Sequence, residues 1–300
     1  MKARDCRYER AHSLQEALEL LHRYGTEARL IAGGQSLVPA LNLRMAAPDT
    51  LIDIGALDEL RGIRLVDSEG TKHLRIGAMV THAELARSRD VALHAPLLAL
   101  AVKHVAHAAI RNRGTFGGSI AHADPAAEFP ACVLALGARM HIASRAATRI
   151  VAGEDFFLGL HETAIKPGEI LVAVDMAPIE TGFRPGFAEL ARRSGDYALV
   201  GLALQGKPTP GRTLFEAVSP VFFSVGDRPI LARSAANILM DSSGADGERI
   251  RLAQAALATD LAPPSDTQAS SATRLHLARV LLGRVVAEVL GTAIGDAADA

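Results

Sequence analysis

Two glycine-paired segments carry the clearest chemical signal in this sequence. The first is Ala32-Gly33-Gly34-Gln35-Ser36-Leu37, which follows a short apolar run and leads into a Leu-rich stretch ending at Leu43. Glycine lacks a Cβ, so a backbone built from it can approach a phosphate closely, and the first amides of a following helix have no intrahelical acceptor. A pyrophosphate fits that description. A glycine pair after a strand also serves simply as a turn.

The second segment, Thr115-Phe116-Gly117-Gly118-Ser119, continues into Ala121-His122-Ala123-Asp124-Pro125 and Glu128. It reads as the same device: hydroxyls of Thr115 and Ser119 can reach phosphate or sugar oxygens, and the carboxylates of Asp124 and Glu128 can accept hydrogen bonds from ribose or ribityl hydroxyls. Asp124 can equally cap a helix whose first position is Pro125, and both roles can hold together. Two anion loops in one chain suit a diphosphate. Neither segment matches the G-x-G-x-x-G dinucleotide fingerprint or the G-x-x-x-x-G-K-[ST] phosphate loop, which argues against a standard Rossmann NAD site and an NTPase.

The elements that would position these loops alternate in kind. Residues 13 to 25 predict a helix, with Ser13 as cap, Glu16 three residues on, an apolar stripe of Leu14, Ala17, Leu18 and Leu21, and Gly25 as stop. Ala28 to Ala32, Leu51 to Ile54 and Leu74 to Ala78 read as strands, and Thr81 with Glu84 forms a capping box for the next helix. The periodicity predicts one helix from Pro96 to Arg111, then a helix over Ala131 to Leu136. Strands are expected at Arg139 to Ala143 and Ile170 to Met176. Residues 180 to 186 read as a connector, followed by strands at Phe187 to Leu190, Ala198 to Leu204 and Phe215 to Val225. The segment 205 to 213 reads as an exposed hairpin connection. Helices over Ala232 to Leu239, Glu248 to Leu257 and Ala272 to Leu290 close the chain. This mixture predicts an α+β or α/β design.

Composition narrows the function classes. The 32 basic and 33 acidic side chains nearly cancel, and no Lys/Arg tract is present that could neutralise a phosphate backbone, which argues against nucleic acid as a partner. Cys6 and Cys132 are the only cysteines, too few for a structural zinc or an iron–sulfur cluster held by this chain alone. A charged N-terminus without an apolar leader, and no apolar run long enough to span a bilayer, predict cytoplasmic residence with reduced thiols.

Other residues invite chemistry that the pattern does not support. His104 and His107 lie three apart on the expected helix, but no further ligand shares their spacing, so no metal site is assigned. Cys132 beside Val133 and Leu134 reads as core. Arg192 and Arg193 suit either an electron acceptor or partner subunit, or a solvated strand edge.

Three strings, IAGGQSLVPALNLRMAAPDTLIDIG, IRNRGTFGGSIAHADPAAEFPA and ELARRSGDYALVG, together resemble the FAD-binding medium subunit of molybdenum hydroxylases, the carbon monoxide dehydrogenase and xanthine dehydrogenase family, close to the bacterial dehydrogenases of N-heterocycles. The resemblance covers nearly the whole chain. It implies two N-terminal subdomains holding FAD between them, in the PCMH-type fold of the vanillyl-alcohol oxidase/MurB superfamily, and a C-terminal α+β domain. The implied division is 1–177 (subdomains about 1–57 and 58–177), 178–291, and a tail at 292–300.

Carried over by motif, Ala32, Gly33, Gly34, Gln35, Ser36 and Leu37 would bind the FAD diphosphate from one side. Thr115, Gly117, Gly118 and Ser119 would bind it from the other, and Asp124 and Glu128 would meet the sugar-alcohol part. Tyr197 would stack near the flavin ring, where an aromatic face is useful, although it could instead be a core strand residue. Leu171 or Val172 would line the ring pocket. No residue is assigned a catalytic acid, base or nucleophile role. The family further implies a large subunit carrying molybdopterin cytosine dinucleotide with molybdenum, a small subunit with two [2Fe-2S] clusters, and a (large, medium, small)₂ heterohexamer. Electrons would pass from the clusters through FAD to an external acceptor. A free-standing FAD oxidase or MurB-like reductase is the rival reading. The chain also departs from its relatives: Ala109 stands where many have Gln, Ala188 and Glu189 stand where some have a lysine near the flavin, and Thr273 replaces a Tyr.

Overall fold

The computed structural model describes residues 2–68, 70–193 and 195–291; the expected tail at 292–300 lies outside them. The first lobe comprises β1 (Arg7–Arg10), α1 (Leu14–Tyr24), β2 (Ala28–Ile31), α2 (Leu37–Asn42) and β3 (Thr50–Asp53). Its strands form a small parallel sheet in the order β1-β3-β2. Helix α1 starts where the sequence places it: Ser13 Oγ accepts the Glu16 amide at 3.1 Å, and Glu16 Oε2 accepts the His12 amide at 2.8 Å. These bonds satisfy donors that the first helical turn leaves open. The apolar stripe of α1 buries Ala17, Leu18, Leu20 and Leu21 against Ile52 and Ile54.

The second lobe is built on the antiparallel sheet β4-β5-β10-β6-β7. Its strands are β4 (Ile63–Ser68), β5 (Thr71–Gly77), β6 (Arg139–Ala143), β7 (Thr148–Ala152) and β10 (Ile170–Met176), with the hairpin β8 (Phe157–Gly159) and β9 (Glu162–Thr163) at its margin. Between β5 and β6 run α3 (His82–Arg87), α4 (Arg89–His94), α5 (Pro96–Ala101), α6 (Ala108–Arg111), α7 (Phe116–His122) and α8 (Glu128–Ala135), and α9 (Gly153–Phe156) follows β7. The capping box expected at Thr81 and Glu84 is present, with Glu84 Oε2 accepting the Thr81 amide at 2.7 Å.

The single helix expected from Pro96 to Arg111 is broken into α5 and α6. Ala106 adopts a left-handed φ of 42°, and Arg111 Nη1 donates to the carbonyls of Val105 and Ala106, each at 2.8 Å. Apolar periodicity was therefore retained across a break that the Arg111 side chain, five residues on, holds open.

A buried ion pair locks this sheet across its middle. Arg75 Nε and Nη2 donate to both oxygens of Asp175, each at 2.7 Å, and His141 Nε2 lies 2.8 Å from the same carboxylate. Burial alone would raise the Asp175 pKa; these bonds overcome it and hold the carboxyl well below its usual range.

The third lobe is the antiparallel sheet β11 (Arg184–Leu190), β12 (Val200–Pro208), β13 (Phe215–Phe223) and β14 (Ile230–Leu231). It is covered on one face by α10 (Arg233–Met240), α11 (Asp246–Asp260) and α12 (Ser271–Leu290). Its other face meets α5 and α8 of the second lobe, through Phe187, Ala203, Val221 and Phe223. The last residues of the expected connector, Arg184 to Gly186, already belong to β11. Gly186 is required there, since a Cβ would stand 2.5 Å from the Val285 side chain of α12. Thr273, the position that departs from the family, completes the start of α12: its amide donates to Ser270 Oγ at 3.1 Å.

Candidate cofactor site

The two glycine segments, about eighty residues apart in the chain, meet in space. Gly33 packs on the backbone of the second segment so closely that a Cβ there would stand 2.0 Å from the Arg113 carbonyl oxygen. A Cβ on Gly118 would likewise come within 3.9 Å of the Ala32 side chain. The parallel strands β2 and β3 present the first segment, and α7, entered from Thr115, presents the second.

Their chemistry differs. In the first segment no backbone amide from Gly33 to Ser36 donates to a protein acceptor among the described residues. Gly34 has a left-handed φ of 71°, which turns successive amides to one side, a nest suited to an anion. The Gln35 side chain donates to the Gly33 carbonyl at 2.9 Å, which occupies an oxygen that would otherwise repel phosphate. Ser36 makes no side-chain capping bond to α2, so its hydroxyl is available. The donor set fits the diphosphate of FAD.

The second segment spends its amides within the protein. Phe116 donates to the Val80 carbonyl at 2.8 Å, Gly117 to the Ala78 carbonyl at 2.9 Å, and Gly118 to Thr115 Oγ1 at 3.1 Å. It is therefore the first turn of α7 rather than a second open amide loop, which corrects the sequence reading. Gly117 is needed for packing, because a Cβ would stand 2.4 Å from that of Ala78. What remains for a ligand here is the Thr115 hydroxyl proton and the half-buried Ser119 side chain. Beneath this turn His82 is buried against Gly114 and edge-on to Phe129 at 5.1 Å. Burial pushes its pKa down to about 4, so it is a neutral platform.

Beyond α7 the polar wall continues. Asp124 does not cap a helix starting at Pro125: its Oδ1 accepts the Ala126 amide at 2.9 Å in a tight turn, and α8 begins at Glu128. Burial drives the Glu128 pKa up to about 7, with Glu189 and Asp124 adding repulsion and His104 opposing it. Tyr197 is 66% exposed, not a core strand residue. Partial burial of its hydroxyl, then the Asp124 carboxylate, raises its pKa, with Glu128 contributing. Asp124, Glu128 and Tyr197 thus face one another. Leu171 is buried in the central core cluster, whereas Val172 is half-buried against the first lobe.

His122, Asp124 and His161 also bring potential metal-ligand atoms within 4.8 Å of one another. Each of these groups also makes a contact within the protein. The imidazoles of His122 and His161 stack at 4.6 Å, His161 Nδ1 lies 3.1 Å from the His122 carbonyl, and Asp124 Oδ1 is held by Ala126.

Sequence reasoning missed the residues that tie Tyr197 to this wall. Ser224, at a left-handed φ of 62°, donates its amide to the Pro125 carbonyl at 2.8 Å and its hydroxyl to the Ala198 carbonyl at 2.5 Å. Arg274 of α12 donates to the Leu199 and Ser224 carbonyls and, at 2.6 Å, to Asp266. A buried arginine in an otherwise apolar helical stripe was the available signal.

A small parallel lobe pressed against an antiparallel one, with an amide nest on one side of the contact and hydroxyls and carboxylates on the other, suits a flavin-dinucleotide-binding protein. Residues 4–176 match the FAD binding domain in molybdopterin dehydrogenase, and residues 186–289 match the CO dehydrogenase flavoprotein C-terminal domain. The chain is 36% identical to the 6-hydroxypseudooxynicotine dehydrogenase complex subunit alpha of Paenarthrobacter nicotinovorans, over 97% of this chain and 96% of that one. It is 33% identical to the carbon monoxide dehydrogenase medium chain of Afipia carboxidovorans, over 93% and 94%. A solved carbon monoxide dehydrogenase from Hydrogenophaga pseudoflava superposes with a TM-score of 0.91 at 31% identity, covering 97% of this chain and 99% of that one. The chain belongs to the family of FAD-binding medium subunits of molybdenum hydroxylases. No helix among the described residues is long and apolar enough to cross a membrane.

Proposed function

We propose that this chain binds one FAD across the Gly33 and Gly118 contact and relays electrons within a molybdenum hydroxylase complex. The observation that carries this reading is the amide nest at Gly33 to Ser36, with free donors pressed against the Thr115 turn. FAD, when bound, supplies the redox chemistry; the protein supplies placement and electrostatics. The diphosphate falls to residues 32–37 on one flank and to the Thr115 and Ser119 hydroxyls on the other, where Gly118, its amide held by Thr115, lets the first segment approach. Gly117 acts by packing. Asp124 and Glu128 accept from the sugar-alcohol hydroxyls, Tyr197 offers its exposed face to the ring, and Val172 rather than Leu171 lines the pocket.

The proposed domains are 1–177, split near residue 57, and 178–291; three apolar clusters, one centred in each part and shared at the seams, support this division. In the assembled enzyme a large subunit carries the molybdenum cofactor and a small subunit the two [2Fe-2S] clusters, in a (large, medium, small)₂ hexamer in the cytoplasm. Relatives named as a complex subunit and as a medium chain favour this over a free-standing oxidase. The test is purification of the tagged chain from its native cells with metal and flavin analysis. Co-purifying molybdenum, iron and one flavin per chain are expected; flavin without either metal would overturn the complex, and a chain that stays colourless with added FAD would overturn the site.

A further inference from the structure

Three groups to which the cofactor reading gives no common task meet at the margin of the second lobe. His122 is the last residue of α7, Asp124 lies in the turn after it, and His161 sits in the turn of the β8–β9 hairpin, 39 residues from His122. One nitrogen from each ring and one carboxylate oxygen all lie within 4.8 Å of one another. Zinc holds imidazole nitrogen and carboxylate oxygen at about 2.0–2.2 Å in a tetrahedral set, which spaces such atoms about 3.4 Å apart. The three side chains therefore stand a small rotation away from a coordination shell.

The backbone brings them there at a cost. Ala123 caps α7 with a left-handed φ of 49°, and His161 adopts a φ of 54°; for residues with a Cβ this conformation costs roughly 1–2 kcal/mol. Asp124 is turned back beside His122, and the His161 ring lies on the His122 ring with centroids 4.6 Å apart. The hydrogen bonds at these groups suit a cation. His161 Nδ1 lies 3.1 Å from the His122 carbonyl oxygen. A carbonyl only accepts, so Nδ1 carries the proton and the neutral ring keeps its lone pair on Nε2, the atom it would offer a metal. A carbonyl that fixes one ring nitrogen in this way is a common support of ligating histidines. The Ala126 amide donates to Asp124 Oδ1 at 2.9 Å, which sets the orientation of the carboxylate while Oδ2 retains lone pairs. Two more carboxylates flank the hairpin turn: Glu162 Oε2 and Asp227 Oδ2 stand 3.4 and 3.7 Å from where a Gly159 Cβ would be. Their field favours a positive ion. His122 and His161 are both exposed, so an ion can enter from solvent.

We propose that His122, Asp124 and His161 bind one divalent transition-metal ion, zinc being the best match, and that the ion staples the β8–β9 turn to the end of α7. Two imidazoles and a carboxylate suit zinc, with water completing a four-coordinate shell. His122 and His161 lie outside the set assigned to FAD, and the inference does not rest on that reading. Asp124 is common to both: a carboxylate offers about four acceptor positions, enough for a sugar-alcohol hydroxyl and an ion together. Because the ion joins segments 39 residues apart, it binds the folded chain in preference to the unfolded one and stabilises it.

The test uses the full untagged chain, stripped with a chelator and titrated with Zn²⁺ against a chromophoric competitor, with and without FAD. Wild type is expected to saturate at one Zn²⁺ per chain below about 100 μM, and its melting temperature to rise with the ion. His161→Asn, which keeps a residue tolerant of the left-handed turn, and His122→Ala should each weaken Zn²⁺ binding at least tenfold. X-ray absorption at the zinc edge, which needs no variant, should show two imidazoles at about 2.0–2.1 Å in the wild-type chain. Wild type that does not saturate, a folded variant that holds Zn²⁺ as tightly as wild type, or a zinc-edge spectrum without imidazole overturns the site. A chain that takes up Zn²⁺ and stays colourless with added FAD overturns the cofactor reading alone.

Discussion

Gly33 rests on the carbonyl of Arg113, with room for a hydrogen and nothing larger: a Cβ would meet that oxygen at 2.0 Å, the carbonyl carbon at 2.7 Å and Gly114 Cα at 2.9 Å. All three obstacles are backbone, so no rotamer change can relieve them. Gly33→Ala must push the two segments apart and so spoil the geometry between the amide nest and the Thr115 hydroxyl. FAD affinity, read by quenching of flavin fluorescence on titration, is expected to fall at least tenfold, about 1.4 kcal/mol or more. Affinity within twofold of wild type would show that the contact does not set the site.

Gly117 and Gly118 separate packing from binding. A Cβ at Gly117 would stand 2.4 Å from the Ala78 side chain and 2.7 Å from its carbonyl oxygen, whereas a Cβ at Gly118 would crowd Thr115 Oγ1 at 2.6 Å. Gly117→Ala is expected to lower the melting temperature, because overpacking costs roughly 1–3 kcal/mol. Thr115→Val keeps the volume but leaves the Gly118 amide without its acceptor and removes the hydroxyl. It should therefore weaken FAD and also cost about 1 kcal/mol of stability. Scanning calorimetry without and with FAD separates the two effects.

The ion pair of Arg75 and Asp175 gives a stability test remote from the cofactor. Asp175 is 2% exposed at its side chain and takes two bonds from Arg75 and one from His141. Asp175→Asn leaves a half-exposed guanidinium short of its counter-charge, with an expected loss on the order of 1–3 kcal/mol in urea unfolding. The folded pKa of Asp175 is depressed, so its contribution is full above the ordinary carboxylate range and disappears as pH falls through the depressed value. Wild type should accordingly lose stability in acid more steeply than Asp175→Asn.

Much of this fold was legible because local chemistry and tertiary packing agree. Ser13 and Glu16, Thr81 and Glu84, and the β2-to-Gly33 transition each carry their own structural reason in adjacent residues. What was not legible depends on distant partners. The strands β1, β4 and β7 lie at sheet edges and bury none of their residues fully, so apolar alternation gave no clear signal for them. The break at Ala106 is an exception, held by Arg111 only five residues on, through backbone carbonyls that apolar spacing does not register. The second glycine pair looked like the first, but Ala78 and Val80, carbonyls from another element, take its amides. In the same way Tyr197 could be assigned to the ring by motif, whereas Ser224 and Arg274, which hold its loop, have no local signature.

Arg274 offers a way to test that hold without touching a residue expected to meet FAD. Its guanidinium joins Leu199, Ser224 and Asp266 at 6% side-chain exposure, so Arg274→Met frees two carbonyls beside the Tyr197 loop and loses the Asp266 pair. Quenching of flavin emission by Tyr197 depends on ring contact and should weaken, while the amide nest, in another lobe, continues to bind the diphosphate. The expected result is a brighter bound flavin, with affinity reduced less than in Gly33→Ala. Tyr197→Ala should give the same brightening, and the double variant should add little to it, since both act on one contact.

Glu128 makes the pH dependence specific. Its ordinary pKa is 4.5 and burial raises it to about 7 in the folded chain. Below pH 4.5 the carboxyl is protonated in both states and its contribution is fully present. Between those values the unfolded chain ionises while the folded chain keeps its proton, so stability falls as pH rises, and the loss is complete above about 7. A shift of this size corresponds to roughly 3 kcal/mol as a ceiling, with partial exposure lowering it to about 1–3. Glu128→Gln removes the dependence: its urea midpoint should change little across this window and exceed wild type at pH 8. FAD should flatten the wild-type slope only if its hydroxyls donate to the ionised carboxylate, because that bond favours the charged form and offsets burial. Parallel slopes with and without FAD would place the sugar-alcohol chain away from Glu128 and leave Asp124 as its carboxylate acceptor.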